Sequence, residues 1–389
     1  MAGYAARDGS AETTLDPLTV SCLALQAGAN RFALIAIDLI GVDEAMVTEV
    51  AQATGLPAAS IAICASHTHS GPAGVLSRLH PADRDAVDPD LRALVIRTMA
   101  HVVDQALGAL ADATLTFAHA PAAGVSANRN TPDGPFDPTV SVLSARTPTG
   151  DPIATVVHFA CHPTILPASS RVISADFPGA VRAQLPAADF GVVLYANGAA
   201  GDVSTRFTRR SQDVAEAQRV GAAVAAAVRS AGVGTVLSPY LEAKCRMGRI
   251  RLRDRAEIET ELSAADRAAS HVGQPLTDAE RRIAETRAQG ADLLRQMADR
   301  IGEIPDQIQV CAWTLGALTL IGFPGELFAS LGLEIIRWNE PALLLGYTNG
   351  YHGYFPDRAA YAAGTYEALA SPYASGASEE LMEWLRDQL

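Results

Sequence analysis

Ile61-Ala-Ile-Cys-Ala-Ser-His67-Thr-His69-Ser-Gly-Pro72 is an apolar run that ends in two histidines and a Ser-Gly-Pro stop. Its length and flanks are those of a buried strand closed by turn residues. Side chains alternate across a strand with period two, so His67 and His69 are expected to project the same way from its end. Two imidazoles on one side suit a divalent metal, zinc foremost. The alternative is a pair of hydrogen-bonded surface histidines.

Outward from this stretch, apolar strands alternate with alanine-rich helices. Strands are predicted at 20–25, 33–38, 61–65, 114–118, 139–145, 153–160 and 192–196, and helices at 43–54, 89–111, 214–229, 255–271 and 278–300. Strand-helix alternation through the first 230 residues indicates an α/β fold, a mixed β-sheet core flanked by helices. Residues 253–304 differ: they are charged, arginine-rich and at helical period. They read as an inserted helical hairpin turning at 273–275, a solvated insert or a lid. With no linker, low-complexity tract or internal repeat, residues 1–389 are expected to form a single domain.

The composition narrows the function. At 49% hydrophobic and 19% charged residues, the chain has ample core for a globular protein. A net charge of −13 argues against a nucleic-acid or anionic-membrane partner. The uncharged stretch 308–325 is broken by Gly316, Gly322 and Pro324, so it reads as a β-hairpin and not as an integral membrane segment. Cysteines 22, 64, 161, 245 and 311 form no Cys-x-x-Cys pair and are odd in number, which predicts reduced thiols. Together with the absence of a signal-like start, this points to a cytoplasmic protein, unless a leader precedes Met1. Met1-Ala-Gly-Tyr4 leads to Asp16-Pro17 with no opening strand between them.

Absent motifs remove whole classes. The single lysine, Lys244, is not preceded by glycine, so there is no P-loop and no basis for Schiff-base chemistry. Gly-x-Ser-x-Gly, His-Glu-x-x-His and Gly-x-Gly-x-x-Gly are all missing. An enzyme built from this chain would work with histidines and carboxylates. His162 lies just past the strand at 153–160, whereas His158 sits inside that apolar run and reads as a core histidine. Glu326, in Pro324-Gly-Glu326, is either a helix N-terminal anion or a metal-facing carboxylate. Gly346 to Asp357 carries three tyrosines with no core to fill, so its aromatics are expected to line a cavity. Asp38 and Asp176 are either caps or carboxylates that orient a ligating histidine.

Taken together, Ser66 to Pro72, Asn128-Arg-Asn130, His162-Pro-Thr164, Asn197-Gly-Ala-Ala-Gly-Asp-Val-Ser204, Phe323-Pro-Gly-Glu326 and Tyr347 to Tyr366 resemble the catalytic domain of the neutral/alkaline (non-lysosomal) ceramidase family. Members are zinc-dependent amidases that cleave N-acyl amides and serve sphingolipid metabolism. The resemblance runs in order along nearly the whole chain. It implies zinc (Zn2+) held by His67, His162, Glu326 and Tyr354, with Arg129 and Tyr366 contacting the reacting amide. His69 would support the ligands from behind or face the substrate, and with an ordinary imidazole pKa of about 6.5 it is the natural donor of a proton to the departing amine. A zinc-bound water, acidified to about pKa 7, would attack the amide carbonyl.

Departures limit the substrate. Long members carry a secretory signal and a C-terminal immunoglobulin-like domain that this sequence does not show. The small-molecule substrate is therefore expected to be ceramide or a smaller N-acyl amide, acylated amino compound or lactam. Ser204 is contested: the family's Gly-Asp-Val-Ser segment has been considered the source of a serine nucleophile, and here Thr205 stands where proline is common. With a metal available, Ser204 reads as a loop-shaping or substrate-contacting residue. The rivals are a serine-nucleophile hydrolase using Ser204 and a non-catalytic binding protein. Oligomeric state is not legible.

Overall fold

The computed structural model describes residues 1–4, 6–7, 9–77, 87–270 and 278–388. Three mixed sheets each turn one face to a shared apolar interior. In the first, Asn30–Ile37 lies between antiparallel Val20–Ala27 and parallel Ile61–Ala65. The second runs Val192–Asn197, Pro152–Phe159, Thr139–Arg146, Thr114–Pro121 and Thr235–Val236, with only its first pair parallel. The third runs Leu241–Arg249, Gln307–Leu315, Leu318–Gly322 and Ala342–Leu345, with only its last pair parallel. The fold is α/β, as the strand-helix alternation indicates.

Period-two alternation sorts the faces. Leu34, Cys64, Val156, Leu194, Trp313 and Leu320 fill the shared interior. Their neighbours point the other way. Ile35, Ile61 and Ile63 pack with Met46 and Met99 of the helices Glu44–Thr54 and Pro89–Gly108. Val157 and Tyr195 pack with Phe177 and Val224 of Phe177–Gln184 and Val214–Ser230. Ile321 and Leu344 pack with Ile335 and Leu381 of Ala329–Trp338 and Ala377–Arg386. Ile61–Ala65 is therefore buried on both faces, which is why it reads as a continuous apolar run and not as an alternation.

The hairpin expected at 308–325 is present as Gln307–Leu315 and Leu318–Gly322. No described helix is long and apolar enough to cross a membrane. Leu241–Arg249 escaped the sequence reading because its half-exposed charged side chains mask the strand period. Within 253–304 stand the helices Arg255–Ser270 and Asp278–Ala298; the turn expected at 273–275 lies outside the described residues. The second helix packs on Tyr366–Ala370. A β-carbon at Gly290 would lie 2.9 Å from the Leu369 side chain and 3.0 Å from the Tyr366 carbonyl oxygen, so a glycine permits this approach.

The thiol expectation needs correction. Cys245 and Cys311 are direct partners on adjacent antiparallel strands and form a disulfide, leaving Cys22, Cys64 and Cys161 free. The pairing joins residues 66 positions apart, which spacing alone does not reveal. It also removes the thiol argument for a reducing compartment.

Candidate active site

The site gathers at the carboxyl ends of the three parallel strand pairs, the usual crevice of open α/β sheets. Loops after Ile61–Ala65, Pro152–Phe159, Val192–Asn197, Leu318–Gly322 and Ala342–Leu345 bring in His67, His162, Ser204, Glu326 and Tyr354. Asn197 ties these ends together. Its amide nitrogen donates to the carbonyls of Ser66 and Cys161, and its side-chain oxygen accepts from the Cys161 amide.

His67 does not continue the strand. The Ser66 and His67 amides donate to the Ile37 and Leu39 carbonyls, and His67 turns left-handed at φ +66°. That conformation costs a residue with a β-carbon about 1–2 kcal/mol. His67 and His69 do meet, with Nε2 atoms 3.2 Å apart, but through this turn and not through strand alternation.

The tautomers follow from the hydrogen bonds. Nδ1 of His67 lies 2.6 Å from the Ile40 carbonyl oxygen, and Nδ1 of His162 lies 2.6 Å from that of Ala200. Both contacts need a proton on Nδ1, which leaves Nε2 of each neutral ring an acceptor. Backbone carbonyls thus orient both rings. Asp38 instead binds Thr19 and Arg182, and Asp176 caps Phe177–Gln184 while accepting the Leu166 amide, so neither carboxylate touches a site imidazole.

Glu326 Oε2 lies 2.9 Å from His162 Nε2 and 3.5 Å from His67 Nε2. With the rings neutral, acceptor faces acceptor here. His162 Nε2 and Glu326 Oε2 are buried without a hydrogen-bond partner. Unpartnered buried polar atoms are costly, and a divalent cation satisfies them. The ligand atoms of His67, His69 and His162 all lie within 4.8 Å of one another, so a metal ion fits these donors.

The other Glu326 oxygen, Oε1, accepts from the Tyr351 hydroxyl at 2.5 Å, and the Tyr347 ring stacks on His67 with centroids 4.0 Å apart. Reading the sequence picked out this tyrosine loop but not the separate tasks of Tyr347 and Tyr351. Glu326 and Tyr354 are register partners in a two-residue parallel pairing, so their side chains share a face. Tyr354 Oη accepts from Arg129 Nη2 at 3.1 Å, and Tyr366 packs edge-on to its ring. Burial pushes the Tyr366 hydroxyl up to about 12, so it stays a donor.

Arg129 is fixed from behind. Its Nε donates to Glu367 Oε1 at 2.6 Å, and Asn130 donates to Glu367 Oε2 at 3.0 Å. Asp202 bridges Asn128 to the amide of Ala329, and burial pushes its carboxyl up to about 7. Neither acid stood out in the sequence. Glu367 stands in the first turn of the helix Tyr366–Ala370, an ordinary place for an acid. Ser204 is a bridge partner of His162, but its Oγ accepts from the Arg206 amide at 3.2 Å, and no described histidine hydrogen-bonds it. His158 Nε2 donates to the Leu344 carbonyl at 2.8 Å inside the core, in keeping with its reading as a core histidine.

The N-terminal residues wall one side of the site. The Tyr4 ring lies 4.8 Å from that of His69, and Arg7 donates to the His69 and Ala2 carbonyls. Gly3, at φ +104°, sits where a β-carbon would come within 2.7 Å of the His69 ring.

Burial, reinforced by the Arg129 charge, lowers His162 to about 4. An unfolded chain binds this proton near pH 6.5. The stability that a neutral His162 contributes is thus complete above about pH 6.5 and is lost as pH falls toward 4. In metal-free protein, ring NMR is expected to show His162 neutral throughout pH 5–7; a midpoint near 6.5 would contradict this.

No protein-family model and no curated protein matches the sequence. Solved structures do. Neutral ceramidase from Pseudomonas aeruginosa superposes with a TM-score of 0.71 at 17% identity, over 93% of this chain and 67% of that one. A ceramidase complexed with C2 gives 0.71 and 17%, over 97% of this chain and 74% of the other. At this identity the likeness speaks for the fold, and the chain has the fold of the neutral ceramidases over nearly its whole length.

Proposed function

We propose that this chain is a zinc-dependent amidohydrolase that cleaves an N-acyl amide, ceramide or a smaller relative. One observation carries the reading: two imidazole nitrogens and a carboxylate oxygen converge in a buried site, and His162 Nε2 and Glu326 Oε2 have no hydrogen-bond partner there. The fold, shared with proteins named as ceramidases, supports the choice of reaction. His67, His162 and Glu326, with Tyr354 beside them, would hold the metal. When bound, zinc supplies a Lewis acid that polarises the acyl carbonyl and acidifies nearby water.

The chain's own groups do the rest. Burial, followed by the neighbouring His67 and His162, lowers His69 well below the usual imidazole range, so it enters the reaction neutral. It takes the proton of the attacking water and returns it to the departing amine. Arg129 and Tyr366 donate to the developing oxyanion; losing one such donor typically costs about 100- to 1000-fold in rate. Ser204, held by the Arg206 amide, shapes the loop that carries Arg129.

The test is hydrolysis of N-acyl amines by purified protein. Activity abolished by a chelator and restored by zinc supports the reading. Chelator-resistant hydrolysis that Ser204→Ala abolishes would replace it with a serine hydrolase.

A further inference from the structure

Thr205-Arg-Phe-Thr-Arg-Arg210 follows Ser204 directly. Arg206 Nη1 donates to the Arg129 carbonyl at 2.8 Å, and Arg209 Nη1 reaches the Thr164 carbonyl at 3.4 Å. Both guanidiniums rest on backbone that carries site residues, and both are half-buried. Guanidiniums in such positions are ordinarily paired with carboxylates. Here, among the described residues, neither has a carboxylate oxygen within 4.0 Å. The nearby acids are committed elsewhere: Glu367 to Arg129 and Asn130, Asp176 to two backbone amides, Glu216 to Arg219.

A third cation joins them. Arg282, near the start of Asp278–Ala298, acts on both guanidiniums through its charge but is itself paired with Glu285, 3.3 Å away. Arg206 rests on the carbonyl of Arg129, which donates to Tyr354, and Arg209 on that of Thr164, two residues past His162, so these two stand beside the reacting groups. Burial, followed by the repulsion of Arg129, lowers the Arg206 guanidinium to about 10. In a chain of net charge −13, Arg206 and Arg209 thus stand without a carboxylate partner among the described residues, beside the candidate active site.

We infer that Arg206 and Arg209 bind a carboxylate carried by the substrate, making the substrate an N-acyl amino acid and not a neutral N-acyl amine. The planar guanidinium fork suits a carboxylate, and a charge-assisted contact strengthens where water is partly excluded. This rests on the amidase reading, and the substrate pair below separates the two claims.

N-lauroylglycine and N-lauroylethanolamine share an acyl chain and differ in charge. Wild type is expected to favour the acylglycine by about 10- to 100-fold in kcat/KM, through KM, with the preference falling as salt rises. Arg209→Gln, whose own carbonyl contact is long, should shrink that ratio toward one, while Arg209→Lys should keep part of it. Equal cleavage of both by wild type, or a ratio unchanged in Arg209→Gln, overturns the inference and leaves the amidase reading standing. If neither is cleaved, the amidase reading fails and calorimetry of N-lauroylglycine binding decides. Binding that weakens in folded Arg209→Gln keeps the arginine site; absent or unchanged binding removes it.

Discussion

Glu326→Gln is expected to lower N-acyl amide hydrolysis by at least about 1000-fold, the equivalent of about 4 kcal/mol of lost transition-state stabilisation. The substitution keeps the volume of the side chain and removes one negative charge. Oε1 can still accept from Tyr351, so the strand-end geometry should survive. The new NH2 group would face His162 Nε2 at the position of Oε2 and supply the donor that this atom lacks. A metal-free fold at least as stable as wild type should therefore accompany the loss of activity and metal. That combination distinguishes loss of a ligand from loss of structure. Near-normal activity in a folded Glu326→Gln protein would show that Glu326 is not part of the reacting centre.

The second large effect is expected at Glu367, where Glu367→Ala should cost about 3–5 kcal/mol of stability, read from urea unfolding. Glu367 is 1% exposed, and truncating it leaves the Arg129 charge buried without its partner. Burial alone would raise this carboxyl. The Arg129 charge and the hydrogen bonds from Asn130 and Arg129 outweigh burial and hold it below the usual glutamate range. Its stabilising share is complete above about pH 4.3 and is lost as pH falls through the lower folded value. Activity should fall with stability, because Arg129 is then free to swing off Tyr354. Glu367→Gln keeps an acceptor for Arg129 Nε and should fall between wild type and alanine on both readouts. An alanine variant as stable and as active as wild type would refute the role.

The fold was legible where its physics is local. Ile61–Ala65 and Pro152–Phe159 bury both faces between layers, so they appear as apolar runs with turn residues at their ends. His67, His162 and Glu326 were legible as polar residues placed just past such runs. What sequence could not convey is how the backbone turns after each strand. The left-handed His67, and the carbonyls of Ile40 and Ala200 that set the tautomers, follow from no side-chain pattern. Glu367 is 238 residues from Arg129, and its acidic character looks like ordinary helix capping until the fold joins the two. Leu241–Arg249 and its disulfide to Gln307–Leu315 were hidden for a related reason. An edge strand with charged outer positions lacks a period, and cysteine pairing depends on register.

The most direct measurement is the metal content of the purified protein, wild type beside Glu326→Gln, His162→Ala and Tyr354→Phe. About one zinc per chain in wild type, lost from Glu326→Gln and His162→Ala, is the predicted result, and Tyr354→Phe would report separately on the phenol. Wild-type protein that carries no metal, and takes up none when zinc is added, would contradict the account.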